Sequence, residues 1–420
     1  MPPYRRAFWT ICIFAPLLYI YWRKFTACDT SGGPLGLTVE DDAENDALNK
    51  TLGFSKIFVL NLPSRTDRRD AMGLAGAVSN LSFSWIDGVT GDQVSEGDEA
   101  HSSGARGSWR SHMNALQSIV EDNLGSALIL EDDIDWDVRL KSQLRTFASA
   151  SKTWLKESKS NKGEIVLADL ISPSYVRKRS GRAAETQESK RDTTQMKTAM
   201  RTDNKVHQSA YGNGWDILWL GHCGADFPDF QKPLVPPLIV TIPEDETVPA
   251  PKHLKPHPFA LLDKLGWDYA AHTRAVHASS GNVCSLAYAV SQEGARKLLS
   301  EFNAHYDAQW DLMLQKWCEG GYNSKEEITT DYEGESDSVT IEDHGADTPV
   351  CLTVQPPLFS HYYAKGGTSN IQSQGGGYSK GTGTPYIRLS VRKNLGRLAT
   401  GAPLSEMVDQ LPDDGEPIWK

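Results

Sequence analysis

Short apolar runs alternate along the chain with stretches whose apolar residues recur at helical spacing. Residues 127–130 are apolar throughout, which is typical of a strand buried on both faces of a parallel sheet. Residues 113–120 follow the period of a helix face, and residues 104–107 before them are predicted as a loop. This alternation predicts an α/β fold with a mainly parallel sheet flanked by helices. The predicted strands cover residues 56–62, 83–88, 127–130, 164–169, 215–223, 283–291 and 350–359.

The N-terminus carries an apolar run, residues 7–22, with basic residues on both sides. As a helix this run spans about 24 Å, slightly less than a bilayer core. Its bulky end, residues 19–22, lacks the small-residue pattern of a cleavage site. An uncleaved signal-anchor is therefore favoured over a cleaved signal peptide. We expect a single-pass type II protein of the Golgi or ER membrane whose large body lies in the lumen.

Composition narrows the class of protein. The 420 residues are enough for one large or two ordinary domains, and a hydrophobic content of 39% supports a packed core. The net charge of -11 argues against nucleic acid as the main partner. It leaves room for anionic small molecules at a site that is locally cationic or lined by metal.

An acidic cluster follows the apolar run at 127–130. Ligand and catalytic groups of parallel sheets lie just beyond the carboxyl ends of the strands. Carboxylates this close repel one another unless a positive group lies among them, and Mg²⁺ or Mn²⁺ prefers such oxygen ligands. A solvated acidic turn is the alternative. The cluster consists of Glu131, Asp132, Asp133, Asp135 and Asp137.

Four short motifs, in this order, resemble glycosyltransferase family 25, which includes lipooligosaccharide and procollagen galactosyltransferases. The motifs are Phe58-Val59-Leu60-Asn61-Leu62 with Arg65-Thr66-Asp67-Arg68-Arg69, Ile86-Asp87-Gly88, Gly107-Ser108-Trp109-Arg110-Ser111-His112, and Ala127-Leu128-Ile129-Leu130-Glu131-Asp132-Asp133. Ser108 and Arg110 depart from the family, which usually has Cys and Leu there. The resemblance implies a GT-A-like, Rossmann-type fold, a nucleotide-sugar donor, commonly UDP-galactose, and inversion at the anomeric carbon.

Transfer from a nucleotide sugar must stabilise a departing diphosphate, which a divalent ion held by carboxylates does as a Lewis acid. Asp133 and Asp135 have Asp-X-Asp spacing, whereas Asp132 belongs to the family's Glu-Asp-Asp, so the division between metal and ribose ligands stays open. The expected ligands of Mn²⁺ (or Mg²⁺) are Asp133, Asp135 and His361. The expected donor-binding residues are Asn61, Arg65, Arg68, His112, Glu131 and Asp132.

Each of these expectations has a structural alternative. Arg65 and Arg68 either contact the diphosphate or form the solvated, basic start of a helix. His112 either touches the donor or caps its helix. His361 either completes the metal shell or lies at the surface. On the acceptor side, Asp311 resembles the family's Asp better than Asp307 does, and we expect it to be the general base. An exposed helical Asp or an N-cap is the alternative.

The cysteines and two sequons agree with a lumenal body. Four of the six cysteines lie in the predicted folded domain, where a lumenal location permits disulfides. We expect the sequential pairs Cys223–Cys284 and Cys318–Cys351, because each closes a loop around an irregular segment. Asn49 and Asn80 begin N-glycosylation motifs.

These observations together lead to an expected function and to an expected division of the chain into segments. We expect a metal-dependent inverting glycosyltransferase that moves galactose from a UDP-sugar to a glycan or glycoprotein acceptor. The alternatives are a metal-dependent phosphohydrolase that uses Asp133 and Asp135, and an inactive membrane-tethered binding protein of the same fold. The predicted segments are a cytosolic tail with signal-anchor (1–24), a stem (25–54), a glycosyltransferase catalytic domain (55–390) with insertions at about 174–210 and 324–349, and a C-terminal tail (391–420).

Overall fold

The computed structural model describes residues 46–94, 102–158, 163–167, 209–228, 235–255, 262–322, 348–364 and 383–416. The predicted signal-anchor at 1–24 lies outside these residues, as do most of the predicted stem and of the two predicted insertions. Within the described ranges, no helix combines the length and the apolar character that crossing a membrane requires.

One sheet contains the eleven strands found in the described residues. The strands are β1 (Lys56–Asn61), β2 (Phe83–Asp87), β3 (Ser126–Glu131), β4 (Ile134–Trp136), β5 (Glu164–Val166), β6 (Ile217–Gly221), β7 (Ile239–Ile242), β8 (Arg274–Ala278), β9 (Ala287–Ser291), β10 (Cys351–Gln355) and β11 (Phe359–His361). The sheet has the strand order β2-β1-β3-β9-β6-β10-β8-β7-β5, and β11 pairs with both β4 and β6.

The sheet is mixed, so the prediction of a mainly parallel sheet is wrong, although the α/β class is confirmed. Of the ten pairings among the described strands, five are parallel and five are antiparallel. β9, for example, runs antiparallel between β3 and β6. The reason is that an apolar run indicates burial on both faces and carries no information on the direction of the neighbouring strand.

Helices cover both faces of the sheet. The second helix begins at Ser103, capped by the Ser102 hydroxyl, so the loop predicted at residues 104–107 is helical. Gly107 permits this, since a Cβ there would lie 2.3 Å from the Val89 carbonyl oxygen. The helices are α1 (Thr66–Val78), α2 (Ser103–Glu121), α3 (Leu140–Glu157), α4 (Lys264–Asp268), α5 (Gln292–Ala304), α6 (Trp310–Cys318) and α7 (Val391–Ala399).

The apolar residues of β3 divide between the two faces of the sheet. Leu128 and Leu130 pack in one cluster with Phe147 of α3. Ala127 and Ile129 point the other way, into a cluster with residues of α2, α5 and α6. Side chains alternate along a strand, so a strand that is buried on both faces needs apolar residues at every position. This burial was expected from the run at 127–130.

The folded body begins before the predicted boundary between residues 54 and 55. Leu52 and Phe54 are buried, Phe54 stacks on Tyr211 with ring centroids 4.8 Å apart, and the Tyr211 hydroxyl donates to the Leu52 carbonyl at 2.6 Å. These few apolar side chains sit in a polar stretch and pack against a residue far away in sequence. The local pattern therefore resembles a linker.

The predicted C-terminal tail is also part of the fold. Within residues 383–416, Val391 and Leu411 are buried, and Ser390 forms a β-bridge with Asp137. Two disulfides tie other segments together, Cys223–Cys284 and Cys318–Cys351, with Cα atoms 5.4 and 5.6 Å apart. This is the sequential pairing.

Candidate active site

Polar residues meet where β1 and β3 end at the same edge of the sheet. Leu60 and Glu131 are register partners in the parallel pair, so Asn61 and the turn after β3 lie side by side. The start of α1 brings Arg68 to this edge, and the end of β11 brings His361. The carboxyl ends of strands therefore hold the acidic cluster, as expected.

Asp132 is held by two residues of the first β-α unit. The Asn61 amide donates to Oδ2 at 2.8 Å, and Arg68 Nη1 donates to Oδ1 at 2.7 Å. Burial raises the pKa of Asp132 above its ordinary value, and Asp133 adds to this, while Arg68 and Asn61 oppose it. Asn61, Arg68 and Asp132 thus form one hydrogen-bonded group.

Asp133 is the carboxylate of the cluster that neighbouring basic groups favour in its ionised form. Its Oδ2 lies 2.8 Å from Arg68 Nη1 and 3.3 Å from His361 Nε2. Burial alone would raise the pKa of Asp133, but the nearby His361, Arg68 and Arg392 hold it well below its usual range. The other oxygen, Oδ1, is buried without a hydrogen-bond partner among the described residues. An ionised carboxylate whose second oxygen has no hydrogen-bond partner can use that oxygen to bind a cation.

Glu131, the last residue of β3, behaves differently from Asp133. The Ser285 hydroxyl donates to its Oε1 at 3.1 Å. Burial raises the pKa of Glu131 well above its ordinary value, and the charge of Asp133 raises it further. Glu131 is therefore more easily protonated than Asp133.

Asp311 lies beside the same cluster, in the first turn of α6. The backbone N–H of Cys284 donates to its Oδ2 at 2.8 Å, and its charge is close enough to raise the pKa of Glu131. Asp307 is elsewhere: Lys316 and the Tyr322 hydroxyl hold its two oxygens at 2.8 and 2.7 Å. Asp311 is therefore better placed than Asp307 to face an acceptor.

Asp135 has different surroundings from Asp133, so the expectation that both carboxylates face one metal ion is wrong. Its side chain is fully buried and accepts hydrogen bonds from the Thr384 hydroxyl at 2.7 Å and from the Ser390 hydroxyl. The backbone N–H groups of Trp136 and Arg392 donate to its other oxygen at 2.8 and 3.2 Å. Asp133 lies in the turn before β4, and the turn breaks the alternation that would place both side chains on one face.

His112 is a core residue, which corrects its assignment to the donor site. Only 2% of its surface is exposed, its Nδ1 lies 2.8 Å from the Tyr288 hydroxyl, and its ring stacks on Trp310 at 4.7 Å. Burial lowers the pKa of His112 to about 3, so it is neutral. The spacing of His112 from Leu116 already indicated the buried face of α2.

Arg65 stands at the edge of the cluster. Its guanidinium holds both oxygens of Asp67, with Nε–Oδ1 and Nη2–Oδ2 distances of 2.9 and 2.8 Å. The hydrogen bond from Arg65 lowers the pKa of Asp67 to about 2. The charge of Asp132 also acts on Arg65 and helps to raise its pKa. Arg68 contacts Asp132 and Asp133 directly, at 2.7 and 2.8 Å, and is therefore the better supported of the two arginines.

Arg392 of α7 is a site residue that sequence reasoning missed. Its Nε donates to the Ile134 carbonyl at 2.8 Å and its Nη2 to the Asp132 carbonyl at 3.2 Å, while the guanidinium lies 5.0 Å from the Tyr362 ring centroid. Positive charge from Arg68 and Arg392 therefore already lies among the carboxylates. No sequence signal identified Arg392, because only the fold brings α7 to this turn.

Two of the three expected metal ligands are arranged so that they could hold a divalent cation. The described residues contain no group of three His, Cys, Asp or Glu side chains arranged around a metal position. Mg²⁺ commonly needs only one or two carboxylates, with substrate phosphates and water completing the shell. Asp133 with its unpartnered Oδ1 and the neighbouring His361 fit this role, and Asp135 does not.

The two sequons lie at the surface. Asn49 and Asn80 are both exposed. The Asn49 side-chain carbonyl accepts from the Thr51 backbone N–H at 2.8 Å and from the Thr51 hydroxyl at 3.1 Å. Modification of either asparagine stays a prediction.

Comparison with known proteins agrees with the motifs. Procollagen galactosyltransferases 1-B and 1-A of Xenopus laevis are 27% and 29% identical to this chain over 113 residues. That stretch is 23% of this chain and 18% of each relative, so the alignment spans less than a fifth of the relatives' length. The family described as glycosyltransferase family 25 (LPS biosynthesis protein) matches residues 54–314, more than half of the sequence. The chain therefore belongs to glycosyltransferase family 25.

Proposed function

We propose that the chain transfers galactose from UDP-galactose to a glycan or glycoprotein acceptor, with inversion and with a divalent metal ion. The observation that carries the proposal is the division of the acidic site into two parts. Asp133 is ionised, lies among Arg68, Arg392 and His361, and has an unpartnered oxygen. Asp311 approaches from another element. Family membership and the name of the Xenopus relatives support the choice of reaction and sugar.

On the donor side, fixed charges would bind the diphosphate. Mn²⁺ or Mg²⁺ held by Asp133 and His361 would supply a Lewis acid at the departing diphosphate. Arg68 keeps Asp132 and Asp133 in place through its contacts at 2.7 and 2.8 Å. The raised pKa of Glu131 favours its neutral form, which would lower the repulsion that an anionic donor meets. The chain thus provides a site that is less acidic than its sequence suggests.

On the acceptor side, Asp311 would take the proton from the attacking hydroxyl. The Cys284 N–H fixes Oδ2, and we assign the other oxygen, Oδ1, to the acceptor. One base and no carboxylate nucleophile suffice for an inverting transfer, in which the acceptor displaces the diphosphate directly. A general base contributes about 10²–10⁴-fold in rate.

Two substitutions separate these roles. Asp133→Asn should abolish the Mn²⁺-dependent part of UDP binding together with turnover. Asp311→Asn should slow transfer by about 10²–10⁴-fold while leaving Mn²⁺ and UDP affinity unchanged. Asp307→Asn is the matched control and should resemble the wild type. Calorimetric titration of UDP with and without Mn²⁺, beside transfer rates from a panel of UDP-sugars, measures both quantities.

Each outcome has a defined consequence. Wild-type Mn²⁺–UDP affinity in Asp133→Asn would remove the metal assignment, and a normal transfer rate in Asp311→Asn would remove the base. Absence of turnover with every sugar nucleotide would favour the inactive binding protein. The phosphohydrolase alternative needed Asp133 and Asp135 to face one substrate, and the burial of Asp135 under Thr384 and Ser390 counts against it.

We also propose that the catalytic domain works in the lumen of the Golgi or ER, anchored as a type II membrane protein. Two disulfides and two exposed sequons support an oxidising, glycosylating compartment. Protease treatment of intact microsomes is the test. A body that survives without detergent and is digested with detergent supports the proposal, whereas digestion without detergent overturns it.

A further inference from the structure

The connection between β8 and β9 lies between the acidic turn and α6. Two adjacent residues at its end contact the two carboxylates on either side. The Cys284 N–H donates to Asp311 Oδ2 at 2.8 Å, and the Ser285 hydroxyl donates to Glu131 Oε1 at 3.1 Å. The position of the Cys284-Ser285 dipeptide therefore determines how the carboxylate of Asp311, the candidate base, is placed relative to Glu131 of the acidic cluster.

Three contacts fix the dipeptide on the side of β6. Cys284 forms the disulfide with Cys223, and the Cys223 N–H donates to the Val283 carbonyl at 2.8 Å. The Trp219 indole donates to the Cys284 carbonyl at 3.1 Å. Cys284 has φ +64°, the left-handed region, which is unfavourable for a residue with a side chain. Its conformation therefore depends on these surrounding contacts.

The earlier part of the same connection is held independently of the disulfide. The Ser279 hydroxyl donates to the Asn282 side-chain carbonyl at 2.9 Å, and the Asn282 amide donates to the Thr353 hydroxyl at 2.8 Å. The Gly281 N–H donates to Glu319 at 2.7 Å. Opening the disulfide should therefore loosen the Cys284 end and leave the rest of the connection in place.

We propose that the Cys223–Cys284 disulfide positions Asp311 for catalysis by fixing the N–H group that orients its carboxylate. The inference rests on the proposed role of Asp311 as the base. In this proposal Cys223, Cys284 and Ser285 are positioning residues that act through Asp311 and Glu131. With dithiothreitol, the disulfide becomes two thiols while the reagent is oxidised to its cyclic disulfide. Transfer should slow on reduction, and donor binding should stay the same.

The second disulfide provides a matched control. Cys318–Cys351 joins the end of α6 to the start of β10 and closes a separation of 33 residues, compared with 61 for Cys223–Cys284. Within the described part of the chain, neither cysteine is bonded to Glu131 or Asp311, and Cys318 lies at the opposite end of α6 from Asp311. Its loss should lower thermal stability without the same loss of turnover.

The experiment compares kcat, acceptor KM and Mn²⁺–UDP affinity in the full chain. Cys223→Ala/Cys284→Ala should lower kcat by about tenfold to a hundredfold, a part of what a general base contributes. The pair Cys318→Ala/Cys351→Ala should keep most of the wild-type kcat. In the Asp311→Asn background, removing Cys223 and Cys284 should have little further effect, because the group that they position is already absent.

Several results would overturn the inference. These are an unchanged kcat without the Cys223–Cys284 bond, an equal kcat loss in the control pair, and a full additional loss in the Asp311→Asn background. If the double variant does not fold, mild reduction of the folded wild-type protein, with the freed thiols mapped, gives the same comparison. A normal transfer rate in Asp311→Asn would show that Asp311 is not the general base. Failure of the proposed function is thus distinguished from failure of the proposal on the disulfide.

Discussion

Asp133 and Asp135 are two residues apart and have opposite surroundings. Asp133 lies in a turn beside Arg68 and His361 and keeps an oxygen without a hydrogen-bond partner among the described residues. Asp135 is enclosed by hydroxyl and backbone donors from the C-terminal segment. The Asp-X-Asp spacing therefore joins a candidate ligand to a structural anchor, and substitution should distinguish the two.

We expect Asp135→Asn to destabilise the protein while leaving Mn²⁺–UDP affinity of the folded protein unchanged. Hydrogen bonds to a charged acceptor contribute about 1.5–3 kcal/mol each, and an amide cannot accept from all the donors around Asp135, so we expect a loss of about 2–4 kcal/mol. Urea unfolding measures it. Asp122→Asn, which removes an exposed ion pair with Lys56, is the control and should change stability by less than about 1 kcal/mol. Wild-type stability of Asp135→Asn would contradict the anchoring role.

Two buried histidines should make the protein sensitive to acid. Burial lowers the pKa of His222 and of His277 to about 4, whereas an unfolded histidine titrates near 6.5. Between these values the unfolded state binds more protons, so the stability present above pH 6.5 is lost as the pH falls towards 4.

For each of these histidines we expect about 2 kcal/mol less stability at pH 5 than at pH 7. His277→Asn keeps a donor near the Ala278 carbonyl that His277 contacts, and it removes one titrating group. Urea unfolding at both pH values should therefore show a shallower acid dependence for the variant. An identical pH dependence in the two proteins would mean that His277 is not the group responsible.

Sequence reasoning located residues whose position follows from a strand end. Asn61, Glu131 and Asp132 are of this kind, because the apolar run fixes where the strand stops. It could not locate Ser285 or Arg392, which reach the site through a connection and a C-terminal helix. It also placed Asp135 wrongly, since residue spacing does not report the direction of a side chain after a turn.

At the scale of elements, the pattern predicted seven of the eleven described strands and missed β4, β7, β8 and β11. It also missed where several strands begin and end and how they pair. The run at 283–291 became a strand only from Ala287, because Cys284 is in the left-handed region. Gly104 and Gly107 disfavour a helix, so the sequence predicts a loop at the start of α2. The segment is nevertheless helical, because glycine allows α2 to pack closely against the backbone at Val89.

Two helical glycines should respond in opposite directions to the same substitution. In Gly107→Ala the new Cβ would meet the Val89 carbonyl oxygen at 2.3 Å, and the backbone must shift at a cost of about 1–3 kcal/mol. Gly73 of α1 has nothing within 4 Å of the added Cβ, so Gly73→Ala should gain about 0.5–1 kcal/mol from helix propensity. Thermal unfolding of both variants tests this. A stabilised Gly107→Ala would show that α2 can move away from Val89.

At the scale of the whole molecule, the site draws on segments far apart in sequence. The region that matches the family, residues 54–314, supplies Asn61, Arg68, the acidic turn and Asp311. His361 and Arg392 come from beyond it. The C-terminal segment, residues 383–416, therefore completes both the acidic turn and the packing behind it.

We expect a chain that ends at residue 382 to lose its stable fold even though the matched region is intact. Asp135 would lose the donors of Thr384 and Ser390, and Asp137 would lose the Leu389 N–H that donates to it at 2.9 Å. Leaving a buried charge without its partner costs about 3–5 kcal/mol, comparable to the entire stability of many domains. Thermal unfolding and soluble yield of the truncated and full chains measure the effect, and a separate peptide of residues 383–416 should restore part of it if lost contacts are the cause. A truncated chain with the melting temperature of the full protein would mean that the buried carboxylates find other donors, and that the segment serves the site alone.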